Sequence, residues 1–169
     1  MGSSAIGCHS CEQEALFAEL PARERVAFDA HWRVAHAFDS ALEGWLVLVP
    51  RRHVESIAEL TEAEALTLGT WQVALARALR EVTGCTKTYV AQFAEREGFA
   101  HVHFHIVPRP PDPAAELRGP RAFAMLGRPE GERVAAERMD VLADALRTAL
   151  STASSTPAPS RPTISGRPA

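Results

Sequence analysis

Three histidines alternate with single apolar residues in the segment 101–107, whose sequence is HVHFHIV. Alternation with a period of two predicts a β-strand, because successive side chains of a strand point to opposite faces. His101, His103 and His105 would then share one face at a spacing of about 6–7 Å, backed by apolar residues that face a core. Imidazole can act as a nucleophile, a proton carrier near neutral pH or a metal ligand. This face is therefore a candidate reaction centre.

A second candidate site is the Cys-x-x-Cys pair formed by Cys8 and Cys11. Such a pair can be half of a zinc site, a redox pair or a coincidence. A thioredoxin-like redox motif would follow a strand, and no strand is predicted before Cys8. Zinc would need two further ligands. His53, just after the apolar segment 46–49, is the first candidate, and His101 could be the fourth ligand.

Secondary-structure patterns predict an α+β fold. The strongest helix covers 61–82, where Thr61 and Glu64 fit a capping box and Gly84 is a plausible end. Further helices are predicted over 12–20 and 132–150. The apolar side of the second helix should contain Val134, Val141, Leu142, Ala145, Leu146 and Ala149. Strands are predicted over 25–28, 32–38, 46–49, 87–93 and 101–107. This order favours an antiparallel sheet of about five strands with helices packed on one face.

Length and composition favour one domain without a nucleic-acid or membrane partner. The chain has 169 residues, of which 46% are hydrophobic, and a net charge of −3. That charge gives no basic surface for DNA or RNA, and no run of 18 apolar residues predicts a membrane span. The start lacks a signal-peptide pattern, so we expect a cytoplasmic protein with reduced cysteines. We expect a flexible segment 1–7, a domain 8–150 and a disordered Ser/Pro-rich tail 151–169.

The histidine segment, with the Pro108 and Arg109 that follow it, resembles the signature of the histidine triad family, His-Φ-His-Φ-His-Φ-Φ, where Φ is apolar. The resemblance covers about residues 8–109. It implies the same α+β fold and a hydrolase or transferase that acts on the α-phosphate of nucleotides, of the dinucleoside polyphosphate or nucleoside phosphoramidate type. It assigns the nucleotidyl-histidine intermediate to His103, and His105 would donate to the phosphate or the leaving group.

The resemblance also implies a structural zinc ion and a homodimer. Many bacterial members of the family hold zinc at four positions that match Cys8, Cys11, His53 and His101 in this sequence. A zinc ion with four protein ligands has no open position for water or substrate, so the predicted role is structural.

Three further residues are candidate nucleotide ligands. The resemblance places Asp39 against the ribose hydroxyls, although Asp39 could equally begin a turn. Gln92 could donate to the phosphate, although the loop after it is about two residues shorter than in the family's dinucleoside-hydrolysing branch. Arg109 could meet a distal phosphate or be solvated.

The segment 96–100, REGFA, departs from the family pattern. Family members commonly have a Gly-Gln pair and a nearby hydroxyl residue just before the first histidine. Two other functions therefore stay open: a non-catalytic module that binds a nucleoside monophosphate, and a zinc hydrolase in which all three histidines bind one catalytic metal.

Overall fold

A computed structural model describes residues 7–154 of the chain. Five strands form one antiparallel sheet in the order β1-β2-β3-β5-β4, and the predicted α+β class is confirmed. The strands are β1 (Ala27–Phe28), β2 (Trp32–His36), β3 (Leu46–Pro50), β4 (Lys87–Ala91) and β5 (Phe104–Arg109). The helices are α1 (His9–Ala15), α2 (Glu62–Thr83) and α3 (Ala136–Ser154), joined by several short 3₁₀ turns.

The long helix α2 begins and ends where the sequence predicts. The Thr61 hydroxyl accepts from the Glu64 N–H, and the Glu64 carboxylate accepts from the Thr61 N–H, which completes the capping box. At the other end Gly84 adopts the left-handed conformation with φ +69°, which costs glycine little. Leu75 and Leu79 are fully buried in the main core.

The two faces of the sheet differ because side chains alternate along each strand. Leu48 of β3 and Ile106 of β5 belong to the core that includes Leu79 of α2. Val47 of β3 and His105 of β5 point to the opposite face, where they line a cavity. Helices α2 and α3 therefore support the sheet from one side, and the other side is left for a site.

The histidine strand is shorter than predicted. The sheet ladder begins at Phe104, so His101 and His103 precede β5 instead of lying on it. The Val102 N–H donates to the carbonyl of Val54 in the loop after β3 (2.7 Å), which diverts this segment from the ladder. Alternation nevertheless persists, since Val102 and Phe104 are both buried in the core.

The chain ends are only partly described. Residues 1–6 of the predicted flexible start and residues 155–169 of the predicted tail lie outside the described residues. Residues 151–154 continue α3, so the helix runs past the predicted domain boundary. No helix among residues 7–154 has the length and apolar character needed to cross a bilayer.

Candidate active site and metal centre

Four cysteine and histidine side chains from three distant segments meet beside the start of the histidine segment. One ligand atom from each of Cys8, Cys11, His53 and His101 lies within 4.8 Å of the others. The Cys11 Sγ atom is 3.2 Å from Nδ1 of His53, and both sulfurs are 3.6 Å from Nδ1 of His101. The structure thus brings together all four residues that the sequence singled out as zinc ligands.

The hydrogen bonds around this cluster fit a metal centre. Nε2–H of His101 donates to the carbonyl of Pro50 (2.8 Å), and Nε2 of His53 lies 3.3 Å from the Glu55 carboxylate. Both bonds assign the proton to Nε2 and leave the Nδ1 lone pairs directed at the sulfurs, as histidine ligands of metals require.

The donor set fits zinc in particular. Tetrahedral zinc, with bonds of about 2.3 Å to sulfur and about 2.0–2.1 Å to nitrogen, would separate a sulfur from a nitrogen by about 3.6 Å. Burial lowers the pKa of His101 to about 4, which keeps its imidazole neutral and able to bind a metal. Burial and the neighbouring Cys8 raise the pKa of the Cys11 thiol to about 11. A cation is therefore needed to hold Cys11 as the thiolate that binds zinc.

A cavity of about 420 Å³ opens on the sheet face opposite α2 and α3, next to the metal centre. His103 and His105 line it together with residues of β2, β3 and the segment 93–99. One wall is aromatic, because the ring of His9 lies 5.3 Å from that of Phe38 and 5.0 Å from that of Phe99. A volume of this size suits a nucleotide-sized ligand.

The hydrogen bonds of His103 and His105 assign opposite roles to their cavity-facing nitrogens. Nδ1–H of His103 donates to the carbonyl of His101 (2.8 Å), which leaves a lone pair on Nε2. The Trp45 indole N–H donates to Nδ1 of His105 (3.1 Å), so the proton of His105 is on Nε2. Burial, followed by the neighbouring His103, lowers the pKa of His105 to about 4 and keeps it neutral. The rings are 4.9 Å apart, so an acceptor and a donor sit side by side.

Two buried basic residues of β2 line the cavity but are already satisfied. His36 donates from Nδ1 to the Ala37 carbonyl and accepts at Nε2 from the Gly44 N–H, each at 3.0 Å. Arg33 lies 3.7 Å from the carboxylates of both Glu14 and Glu24, and its side chain is 4% exposed.

The three residues predicted to bind the nucleotide lie in different parts of the structure. Asp39 lines the cavity with a side chain that is 14% exposed, and its carboxylate lies 3.7 Å from the Arg96 guanidinium. Gln92 is half-buried and is not among the residues that line the cavity; Phe93, its neighbour, is. Arg109 is at the far end of β5, where it donates to Thr86 and to the Pro111 carbonyl. Of the three, Asp39 is the one that lines the cavity.

The unusual segment before the histidines forms part of the cavity wall. Ala94 has φ +54°, the one positive value among the non-glycine residues of 7–154, and such strain is common at ligand sites. The Gly98 carbonyl accepts from the His9 N–H (3.0 Å), which ties the segment to the Cys-x-x-Cys helix. Arg96 lies over the Phe99 ring at 4.9 Å and faces the cavity, whereas Glu97 is not among the lining residues.

Sequence reasoning did not assign His9, Phe38, Phe99 or Arg33 to the site. The position of His9 between two metal-ligand candidates was a usable signal, since a metal at Cys8 and Cys11 fixes the residue between them. Nothing local to Phe38 or Phe99 indicates that residues about 60 positions apart share one wall.

Known structures share this fold. A histidine triad protein from Bradyrhizobium japonicum is 26% identical, with 75% of this chain and 89% of that chain covered and a TM-score of 0.61. A zinc-bound histidine triad family protein from Mycobacterium smegmatis is 18% identical, with 90% and 99% covered and a TM-score of 0.64. A uridylyltransferase is 19% identical, with 88% of this chain and 47% of that chain covered and a TM-score of 0.60.

Comparison of the sequence with protein-family models and with curated proteins found no match. The likeness therefore consists of the shared fold and of the motif, in which His103 and His105 line the cavity and His101 belongs to the candidate metal centre. The chain therefore has the fold of these histidine triad proteins and carries a segment that resembles their histidine motif.

Proposed function

We propose that the chain is a nucleotide hydrolase or nucleotidyl transferase in which Nε2 of His103 attacks the α-phosphorus. The observation that carries the proposal is the hydrogen bond from Nδ1–H of His103 to the His101 carbonyl at 2.8 Å. This bond directs the free lone pair into the cavity and stabilises the positive charge that the ring acquires on attack.

In the first step the Nε2–P bond forms and the bond from phosphorus to the leaving group breaks, with its electron pair departing on the leaving group. Water or another acceptor then attacks the nucleotidyl-His103 intermediate and releases the nucleotide. Nε2–H of His105, beside His103, donates a hydrogen bond to a phosphoryl oxygen as charge develops.

The rest of the cavity fits a nucleoside. Asp39 is an acceptor for both hydroxyls of a ribose, since an ionised carboxylate has two oxygens. The aromatic wall of His9, Phe38 and Phe99 provides apolar surface for a base.

Zinc has a structural role in this proposal. Cys8, Cys11, His53 and His101 would hold it, and when bound it would tie α1 and the loop after β3 to the histidine segment. A catalytic zinc on all three motif histidines is disfavoured, because Nδ1 of His101 faces the two sulfurs and its Nε2 donates to Pro50.

We also propose that the chain forms a homodimer and is located in the cytoplasm. The exposed Val90 of edge strand β4 and the exposed Val73 of α2 support a homodimer. Three free cysteines, two of them candidate thiolate ligands, support a reducing cytoplasmic location.

The test is to trap the intermediate. The zinc-loaded protein is mixed with diadenosine tetraphosphate or adenosine 5′-phosphoramidate, quenched, and analysed by mass spectrometry for adenylylated peptide. We expect the adduct on His103 and a loss of turnover of at least about 10⁴-fold in His103→Ala, because removal of a covalent nucleophile leaves only binding and electrostatic effects. His31→Ala, outside the cavity, is the control. Full turnover by folded His103→Ala would refute the proposal.

A further inference from the structure

The proton on His105 cannot be given to a leaving group. Nδ1 of His105 accepts from the Trp45 indole, which can donate but not accept. The Nε2 proton is therefore the one proton of a neutral ring, and losing it would create an imidazolate anion. His105 can donate a hydrogen bond to the reacting phosphate but cannot act as its general acid.

The other histidine of the sheet face is equally unable to supply a proton. His36 uses Nδ1 as a donor to Ala37 and Nε2 as an acceptor from Gly44. The segment 96–100 contains no hydroxyl residue that could relay one. His9 and Ser10 also line the cavity, but they lie on α1 beside the metal centre. The groups next to His103 therefore favour a leaving group that departs without being protonated. A phosphate oxygen meets that requirement at neutral pH, whereas the nitrogen of an amine does not.

The cavity also offers one open cation for such a leaving group. Of the two arginines that line it, Arg33 is 4% exposed and held between two glutamates. The Arg96 side chain is 69% exposed, and its 3.7 Å distance from the Asp39 carboxylate is too long for a hydrogen bond. Its guanidinium stacks on Phe99, which orients the flat fork of donors that suits a phosphate.

We propose that Arg96 determines specificity by binding a phosphate of the leaving group, so that the site selects nucleotides whose α-phosphate is joined to a further phosphate. The inference rests on the proposed function and deepens it. In the reaction, His103 Nε2 bonds to the α-phosphorus while the bond from phosphorus to the bridging oxygen breaks. That oxygen keeps the electron pair and leaves as an unprotonated phosphate oxygen against Arg96.

The position of Arg96 beside Asp39 leaves two sources for the same chemistry. The second phosphate could belong to the 5′ chain, as the proposal states, or it could be carried on the ribose that Asp39 contacts. Three adenosine ligands separate these sources: AMP, α,β-methylene-ADP, which has a second 5′-phosphate and resists cleavage, and adenosine 3′,5′-bisphosphate.

The first experiment measures the dissociation constants of these ligands by calorimetry for the zinc-loaded wild type, Arg96→Ala and the control Arg109→Ala. We expect α,β-methylene-ADP to bind the wild type about 10-fold more tightly than AMP, in line with one charged hydrogen-bonded contact. That ratio should fall to about 1 in Arg96→Ala and stay unchanged in Arg109→Ala. The proposal would be overturned if this affinity ratio were unchanged in Arg96→Ala or fell equally in Arg109→Ala. It would also be overturned if only adenosine 3′,5′-bisphosphate bound more tightly than AMP.

The second experiment compares kcat/KM for diadenosine tetraphosphate and adenosine 5′-phosphoramidate. Arg96→Ala should lower the first about 10-fold and leave the second unchanged, and Arg96→Lys should restore part of the loss because it keeps the charge without the fork. Equal loss with both substrates would overturn the role of Arg96. If the wild type turned over neither substrate, the proposed function would fail. The ratio of the dissociation constants of AMP and α,β-methylene-ADP would still decide whether Arg96 binds a second phosphate.

Discussion

Replacing His105 with asparagine should make folding stability less sensitive to acid. Burial lowers the pKa of His105 to about 4 in the folded protein, from 6.5 for an ordinary histidine. Between these values the unfolded chain binds a proton that the folded chain does not, so stability is complete above pH 6.5 and is lost as the pH falls towards 4. Asparagine does not titrate, and its Oδ1 can still accept from the Trp45 indole.

The size of the effect follows from the two pKa values. For a single group titrating at 6.5 unfolded and about 4 folded, the free energy of unfolding falls by about 2 kcal/mol between pH 7 and pH 5. Other buried groups also titrate in this range, including His36, whose pKa is lowered by burial. Their contribution is common to both proteins and cancels in the comparison.

Urea unfolding of zinc-loaded wild type and His105→Asn at pH 7 and pH 5 measures this difference. The wild type should lose about 2 kcal/mol more than the variant over this interval, although the variant is less stable at pH 7 because it leaves a small cavity. The slopes with urea should agree, which shows that the same surface is exposed on unfolding. Equal losses in the two proteins would mean that His105 is not held neutral, and the assignment of its proton to Nε2 would lose its basis.

Two other predictions concern the metal and the edge of the sheet. Cys11→Ser should lose stoichiometric zinc and lower the melting temperature by about 4–8 °C, given a cost of at least about 2 kcal/mol in a domain of this size; metal analysis that finds one zinc per chain in the variant would contradict the site. Light scattering should find twice 18.3 kDa for the wild type. Val90→Lys on β4 should shift that mass to the monomer, and an unchanged mass would exclude β4 from the interface.

The sequence predicted those features whose cause is local. The capping box of Thr61 and Glu64 and the left-handed Gly84 fix α2 through contacts within a few residues, and both are confirmed. The metal cluster is not local, and it was predicted because Cys8, Cys11, His53 and His101 match the zinc positions that the resemblance to the histidine triad family implies. The order of strands and helices sufficed for the fold class.

What the sequence missed depends on tertiary contacts. The histidine segment has a strand pattern throughout, yet a hydrogen bond from Val102 to Val54, 48 residues earlier, keeps its first half out of the ladder. On α3 the predicted apolar side is right at Leu142, Leu146 and Ala149, which are buried. It is wrong at Val141, which is 58% exposed, and at the exposed Ala145, whereas Met139 and Ala143 are buried. The many alanines of this helix leave the edges of its apolar side undefined by sequence, and its packing against α2 sets them.

The wide separation of the metal-ligand candidates has a consequence for synthesis of the protein. Cys11 is 42 residues from His53 and 90 from His101. At about 5–20 residues per second, a ribosome takes roughly 5–20 s to synthesise the 90 residues from Cys11 to His101. During that time Cys8 and Cys11 have at most His53 as a histidine partner. A nascent chain therefore presents an incomplete chelate, with its thiols open to oxidation or to capture by a softer metal. Correct loading is an event of the finished domain, and metal supply and redox state in those seconds would affect the yield of correctly loaded protein.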